Sequence, residues 1–113
     1  MPRLVVRQGE GIGRDQPLGV GACVVGRGPG VDFTIDDTSM SRQHFRVVGT
    51  AGTWMLEDLG STNGTFLNGR RARRAPLKDG DTIRAGATEL RYVQKDMLAG
   101  TGIKAPVRKK RRR

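Results

Sequence analysis

Three short polar clusters hold the side chains best suited to chemistry: Gly26-Arg27-Gly28, Ser41-Arg42-Gln43-His44 and Gly60-Ser61-Thr62-Asn63-Gly64-Thr65. Together they supply guanidinium groups, hydroxyls, an amide, and glycines that leave backbone N–H groups accessible. That set suits a tetrahedral dianion: arginine forms charge-assisted pairs with its oxygens, hydroxyls donate to them, and an asparagine amide can pair with a peptide backbone. Each residue also has a plainer reading. Arg27 alone is a solvated loop arginine, Ser41 a turn hydroxyl, Asn63 half of an Asn-Gly turn, and His44 a satisfied structural histidine.

Catalysis fits the same residues poorly. Asp36 or Asp37 with Ser41 and His44 superficially makes up a triad, but no nucleophile-elbow motif surrounds the serine, and triads are defined by geometry, not by closeness in sequence. Neither Gly26-Arg27-Gly28-Pro29-Gly30 nor the N-terminal glycines are followed by the Gly-Lys-Ser/Thr of a phosphate loop. One cysteine and one histidine exclude a Cys/His zinc site and an internal disulfide. A non-enzyme without metal or cofactor is expected. Cys23 lies in an apolar run and reads as a buried thiol, and Trp54 as a packing residue.

The elements that must position these clusters are short strands. With 17 glycines and five prolines in 113 residues, the chain has many turn positions and room for one domain. Strand signals fall at Leu4–Val6, Pro17–Val20, Ala22–Val25, Asp32–Asp36, His44–Val48, Thr53–Asp58, Thr82–Arg84 and Glu89–Val93, several alternating with period two. Asn63-Gly64, Asn68-Gly69 and Asp79-Gly80 mark tight turns. Roughly ten short strands and no helix point to an all-β sandwich.

The formal charge of +10 is unevenly spread. Of 21 basic residues, seven lie between Lys104 and Arg113, leaving 14 against 11 acidic ones in positions 1–103, a balance of +3. A folded body at 1–97 and a disordered basic tail at 98–113 are expected, because the tail combines self-repelling charge with few apolar groups. Arg70, Arg71, Arg73 and Arg74 form a second basic cluster, read as a solvated surface or as a weak, salt-sensitive contact with nucleic acid or an acidic surface. No apolar stretch approaches the roughly 20 residues of a membrane helix, and the N-terminus lacks a secretory signal, so a cytoplasmic chain is expected.

The ordered set Gly26-Arg27, Ser41-Arg42-Gln43-His44, Gly60-Ser61-Thr62-Asn63-Gly64-Thr65, Phe66-Leu67-Asn68-Gly69 and Leu77-Lys78-Asp79-Gly80-Asp81-Thr82-Ile83 resembles the forkhead-associated (FHA) domains over about residues 3–94. The resemblance implies a β-sandwich of about eleven short, mostly antiparallel strands with binding loops at one end. It implies a phosphothreonine-dependent interaction module whose partners are phosphothreonine-containing proteins acted on by a Ser/Thr kinase. Arg27 and Ser41 would hold the phosphate, Thr62 would line the pocket for the threonine methyl and phosphate, and Asn63 would bond the peptide backbone. Arg42 occupies a variable position that often touches peptide or phosphate, while Gly26, His44 and Gly64 belong to the architecture. Family members often carry a basic residue where this chain has Ser39, so a preference for acid three residues beyond the phosphothreonine is not implied. Two other readings remain open at this stage: a phosphate-independent scaffold, and a nucleic-acid-associated protein acting through Lys104–Arg113. Arginine-rich, Gly- and Ala-rich composition leans bacterial; in a eukaryotic source the tail would read as a nuclear signal.

Overall fold

The structure, a computed structural model, describes residues 2–19, 21–50 and 52–94. The expected body–tail boundary at 97 and the basic tail lie outside the described residues. Eleven strands follow in order: β1 (Arg3–Gln8), β2 (Asp15–Pro17), β3 (Ala22–Gly26), β4 (Phe33–Thr34), β5 (Phe45–Thr50), β6 (Thr53–Asp58), β7 (Thr65–Leu67), β8 (Arg70–Arg71), β9 (Arg74–Leu77), β10 (Thr82–Ala85) and β11 (Thr88–Val93). They form a six-stranded sheet ordered β2-β1-β11-β10-β7-β8 and a five-stranded sheet ordered β4-β3-β5-β6-β9. Every pairing is antiparallel except β3 with β4. No helix among the described residues is long and apolar enough to cross a membrane.

Alternation in the sequence sets which face of each strand is buried. Leu4 and Val6 of β1, Ile83 and Ala85 of β10, and Leu90 and Tyr92 of β11 point inward from one sheet. Val25, Phe45, Val47 and Leu56 meet them from the other, and all four are fully buried. Burying side chains of this size stabilises by about 1.5–3 kcal/mol each relative to exposure. Cys23 is buried in this core, where desolvation and the nearby Asp32 charge push its thiol up to about 11. Trp54 packs against the core's rim, over Gly49. Both strand prolines, Pro17 and Pro76, sit in edge strands, where no inner ladder loses a donor.

The β5–β6 ladder follows the expected pattern, with β6 covering Thr53–Asp58 as read from the sequence. Asn68 and Gly69 both take positive φ, 51° and 85°, and close the two-residue hairpin between β7 and β8. Two expectations shift. Of the run expected at Pro17–Val20, whose last residue lies outside the described residues, Pro17 joins a strand beginning at Asp15, and Leu18 turns into the core at 2% exposure. The Asp32–Asp36 run alternates in burial as expected, yet only Phe33 and Thr34 join a ladder. The Asp32 carboxylate takes the Val24 N–H at 2.8 Å, and a tight turn from Asp37 N–H to the Ile35 carbonyl at 2.9 Å ends the strand.

Candidate functional site

Strand β3 delivers Arg27 to one end of the sandwich by passing very close to the 41–43 loop. A Cβ at Gly26 would lie 1.9 Å from the Arg42 carbonyl oxygen, and one at Gly28 would lie 2.8 Å from the Arg42 Cβ. Glycine is therefore required at 26 by close approach, not by backbone angle. In that contact the Arg27 N–H donates to the Ser41 carbonyl at 3.1 Å, and the Gly28 N–H donates to the Arg42 carbonyl at 3.2 Å. The Arg27 guanidinium is aimed by its own Nε–H, which donates to the Met40 carbonyl at 2.7 Å. Arg27 itself lines the pocket at this end.

His44 ties two loops together from beneath. It is fully buried, and its Nδ1 accepts the Ser41 N–H at 2.9 Å. The ring proton must then sit on Nε2, which donates to the Gly64 carbonyl at 2.8 Å. Ser41 in turn accepts the Thr62 N–H on its Oγ at 3.1 Å, and Asn63 Nδ2 donates to the Ser39 carbonyl at 3.0 Å. Residues 20 or more apart in sequence are thus locked into one surface. With both His44 ring nitrogens committed to backbone groups, neither meets the Ser41 hydroxyl, so the superficial Asp–Ser–His triad has no triad geometry.

Arg27, Ser39, Ser41, Arg42, Thr62 and Asn63 all line one open pocket of about 370 Å³, and none of its lining residues is acidic. All five residues read from the sequence as ligand-contacting converge there. Gly26, His44 and Gly64 lie behind the wall and shape it. No group of three or more metal-ligating side chains occurs among the described residues.

Two carboxylates organise this end: Asp58, which the sequence reading did not single out, and Asp37, which it weighed only as part of a triad. Asp58 accepts from the Gly60 and Ser61 N–H groups, from Thr65 Oγ1 at 2.7 Å, and from the Ser61 hydroxyl in a very short contact. Asp37 accepts from the Ser39 N–H and hydroxyl, from the Ala87 N–H, and from Thr88 Oγ1 at 2.7 Å. Burial would raise both carboxyls, but the donated hydrogen bonds outweigh it and hold each below its ordinary value. The available signal was local: Asp58-Leu59-Gly60-Ser61 and Asp37-Thr38-Ser39 place an Asp ahead of N–H groups it can cap. Ser39, which stands where a basic residue is common, is spent on this bracing, since its hydroxyl bonds both Asp37 and the Ala87 N–H.

Residues 23–86 match the family model described as the FHA domain. The FHA domain-containing protein FhaA of Mycobacterium tuberculosis is 38% identical over 81 residues, covering 72% of this chain and 15% of its own length. The glycogen accumulation regulator GarA of Mycolicibacterium smegmatis is 35% identical over 92 residues, covering 80% of this chain and 57% of its own. This chain therefore spans well under two thirds of either relative. A solved structure from work on phosphothreonine-dependent FHA domain interactions matches with a TM-score of 0.78 at 33% identity, over 85% of this chain and 98% of that one. Matching strands, the Arg27–Ser41–Thr62 end and the family model agree, and the chain belongs to the FHA-domain family.

Proposed function

We propose that this chain is a non-catalytic module that binds phosphothreonine on partner proteins in Ser/Thr kinase signalling. The observation that carries the reading is the convergence of Arg27, Ser41, Arg42, Thr62 and Asn63 on one pocket with two arginines and no acid in its lining. Arg27 has one N–H fixed on Met40 and four left for phosphate oxygens. Ser41 accepts from Thr62, which leaves its own hydrogen to donate outward. Arg42 is an exposed flank that adds charge, and Asn63 keeps a carbonyl oxygen and one amide hydrogen for a peptide backbone. The relationship to a solved domain from work on phosphothreonine-dependent interactions supports the ligand class.

Recognition here needs no chemistry. A kinase modifies the partner, the dianion docks at Arg27 and Ser41, and the module recruits what it is joined to. Threonine is favoured over serine through one buried methyl, about 1 kcal/mol, together with the shape of the Thr62 wall. The module occupies the body to about residue 97 and works in the cytoplasm.

Fluorescence anisotropy with phosphothreonine, phosphoserine and unphosphorylated peptide pools tests this directly, at two salt concentrations. Binding confined to phosphothreonine and largely surviving salt is expected. Each charge-assisted bond contributes about 1.5–3 kcal/mol, so Arg27→Ala should lower affinity at least a hundredfold while leaving the circular dichroism unchanged. Equal binding of all three pools that collapses with salt would transfer the function to the phosphate-independent scaffold or to nucleic-acid contact through the tail.

A further inference from the structure

The four arginines of the second basic cluster divide in the folded chain. Arg74 is neutralised on the five-stranded sheet, where Glu57 pairs with Arg46 at 2.6 Å and with Arg74 at 3.1 Å. Among the described residues no ion pair reaches Arg70, Arg71 or Arg73. Arg71 and Arg73, with Ala72, line an open pocket of about 570 Å³ whose other wall is Asp58, Gly60 and Ser61. The backbone holds this segment in place: Ala72 N–H donates to the Thr65 carbonyl at 2.9 Å, and the Arg73 carbonyl accepts the Asp58 N–H at 2.9 Å. The Arg71 guanidinium lies over Gly64, where any Cβ would come within 2.7 Å of its Nε.

Two arginines against one carboxylate leave the pocket net positive, and the loop beside it places it next to the phosphate site. Its one carboxylate, Asp58, is occupied by four donors from its own loop. Gly60 and Ser61 face it, while the next two residues of the same loop, Thr62 and Asn63, face the phosphate pocket. A single loop is therefore the partition between the two pockets.

We infer that the Arg71–Arg73 pocket is an accessory subsite that takes an aspartate or glutamate side chain flanking the phosphothreonine of the same partner. The inference rests on the phosphopeptide reading and adds the class of sequence preferred: an acidic flank engaged on the Arg71 side of the Gly60–Asn63 loop.

The test uses the full chain and phosphothreonine peptides that differ only in flanks, with a single glutamate walked through five positions on either side of the phosphothreonine in a neutral background. At fixed physiological salt, one or two adjacent positions should raise affinity about three- to tenfold. Arg71→Gln and Arg73→Gln should each erase that gain while leaving the neutral-flank peptide unchanged. Arg70→Gln, equal in charge change but outside the pocket, should keep it. Arg73→Glu should reverse the preference toward a lysine at the same position. The subsite is overturned if glutamate helps equally everywhere, if Arg70→Gln erases the gain as fully as Arg73→Gln, or if no position responds while the neutral phosphothreonine peptide still binds. Failure of every phosphothreonine peptide, neutral ones included, would instead overturn the phosphopeptide reading, and this inference with it.

Discussion

Two polar regions lie side by side at the loop end, and they are held in opposite ways. Beneath the 37–44 and 58–65 loops a set of polar groups is buried and paired, while Arg42, Thr62 and Asn63 stay exposed above them. The buried polar residues described are Asp37, His44, Ser61, Thr65 and Thr88, and all five hydrogen-bond within the network at this end of the sandwich. At Arg70–Arg74 the side chains are exposed and mostly without a carboxylate partner. The contrast separates two functions of polarity. Buried, satisfied groups set where a donor points, because leaving one unpaired costs about 1–3 kcal/mol. Exposed charges are cheap to keep, because water already solvates them.

The sharpest way to break the comparison is at its buried side. His44→Ala should cost about 3 kcal/mol, since it leaves the Ser41 N–H and the Gly64 carbonyl without their ring partner and opens a cavity. Urea unfolding would show the loss as a lower midpoint, accompanied by weaker phosphothreonine binding because Ser41 is no longer braced. A midpoint near wild type would mean that the strands alone hold the loops.

Acid should have a smaller, graded effect. Asp37 and Asp58 have folded-state carboxyls below their ordinary value, so the stability they add is fully present above the unfolded pKa of about 3.9 and is lost as pH falls through the depressed folded one. Urea midpoints should hold from pH 7 to about 5 and fall below about 4. Asp58→Asn should cost about 2 kcal/mol at pH 7 and flatten that acid limb. An unchanged limb in this variant would show that other carboxylates govern acid unfolding.

The exposed side should barely respond. Arg74→Gln removes one arm of the Arg46–Glu57–Arg74 ladder on the solvent face, and thermal unfolding should be unchanged within error. The two hydrogen-bonded arginines hold the Glu57 carboxyl below its ordinary value. A clear loss of stability would mean that this ladder works as a cooperative network and not as two surface pairs.

Much of this was legible from residues alone. The strand at Thr53–Asp58, the alternating run at Glu89–Val93 (which the fold begins one residue earlier, at Thr88) and the Asn68-Gly69 turn fall where the pattern places them, because side-chain period and positive φ are local properties. The five ligand-contacting candidates were identifiable as a set from the order of their motifs. The bracing carboxylates were harder to see: Asp37 reaches Thr88, 51 residues away, and an aspartate in a loop looks the same whether solvated or capping. The Asp32–Asp36 run misled in extent, since alternation reports burial and not whether a neighbouring strand is present to pair with.

What the sequence by itself determined is the inventory: which residues could bind a dianion, how many strands and turns separate them, and where basic charge accumulates. Only the tertiary structure decided which of those residues meet. Sheet register carried Ser41 to Thr62 and His44 to Gly64, and it joined Arg74 to Glu57 while leaving Arg71 and Arg73 unpaired beside the phosphate pocket. The reason is that a hydrogen bond or an ion pair acts over a few ångströms, and distance through the fold is set by how the strands pair, which no local run of residues encodes.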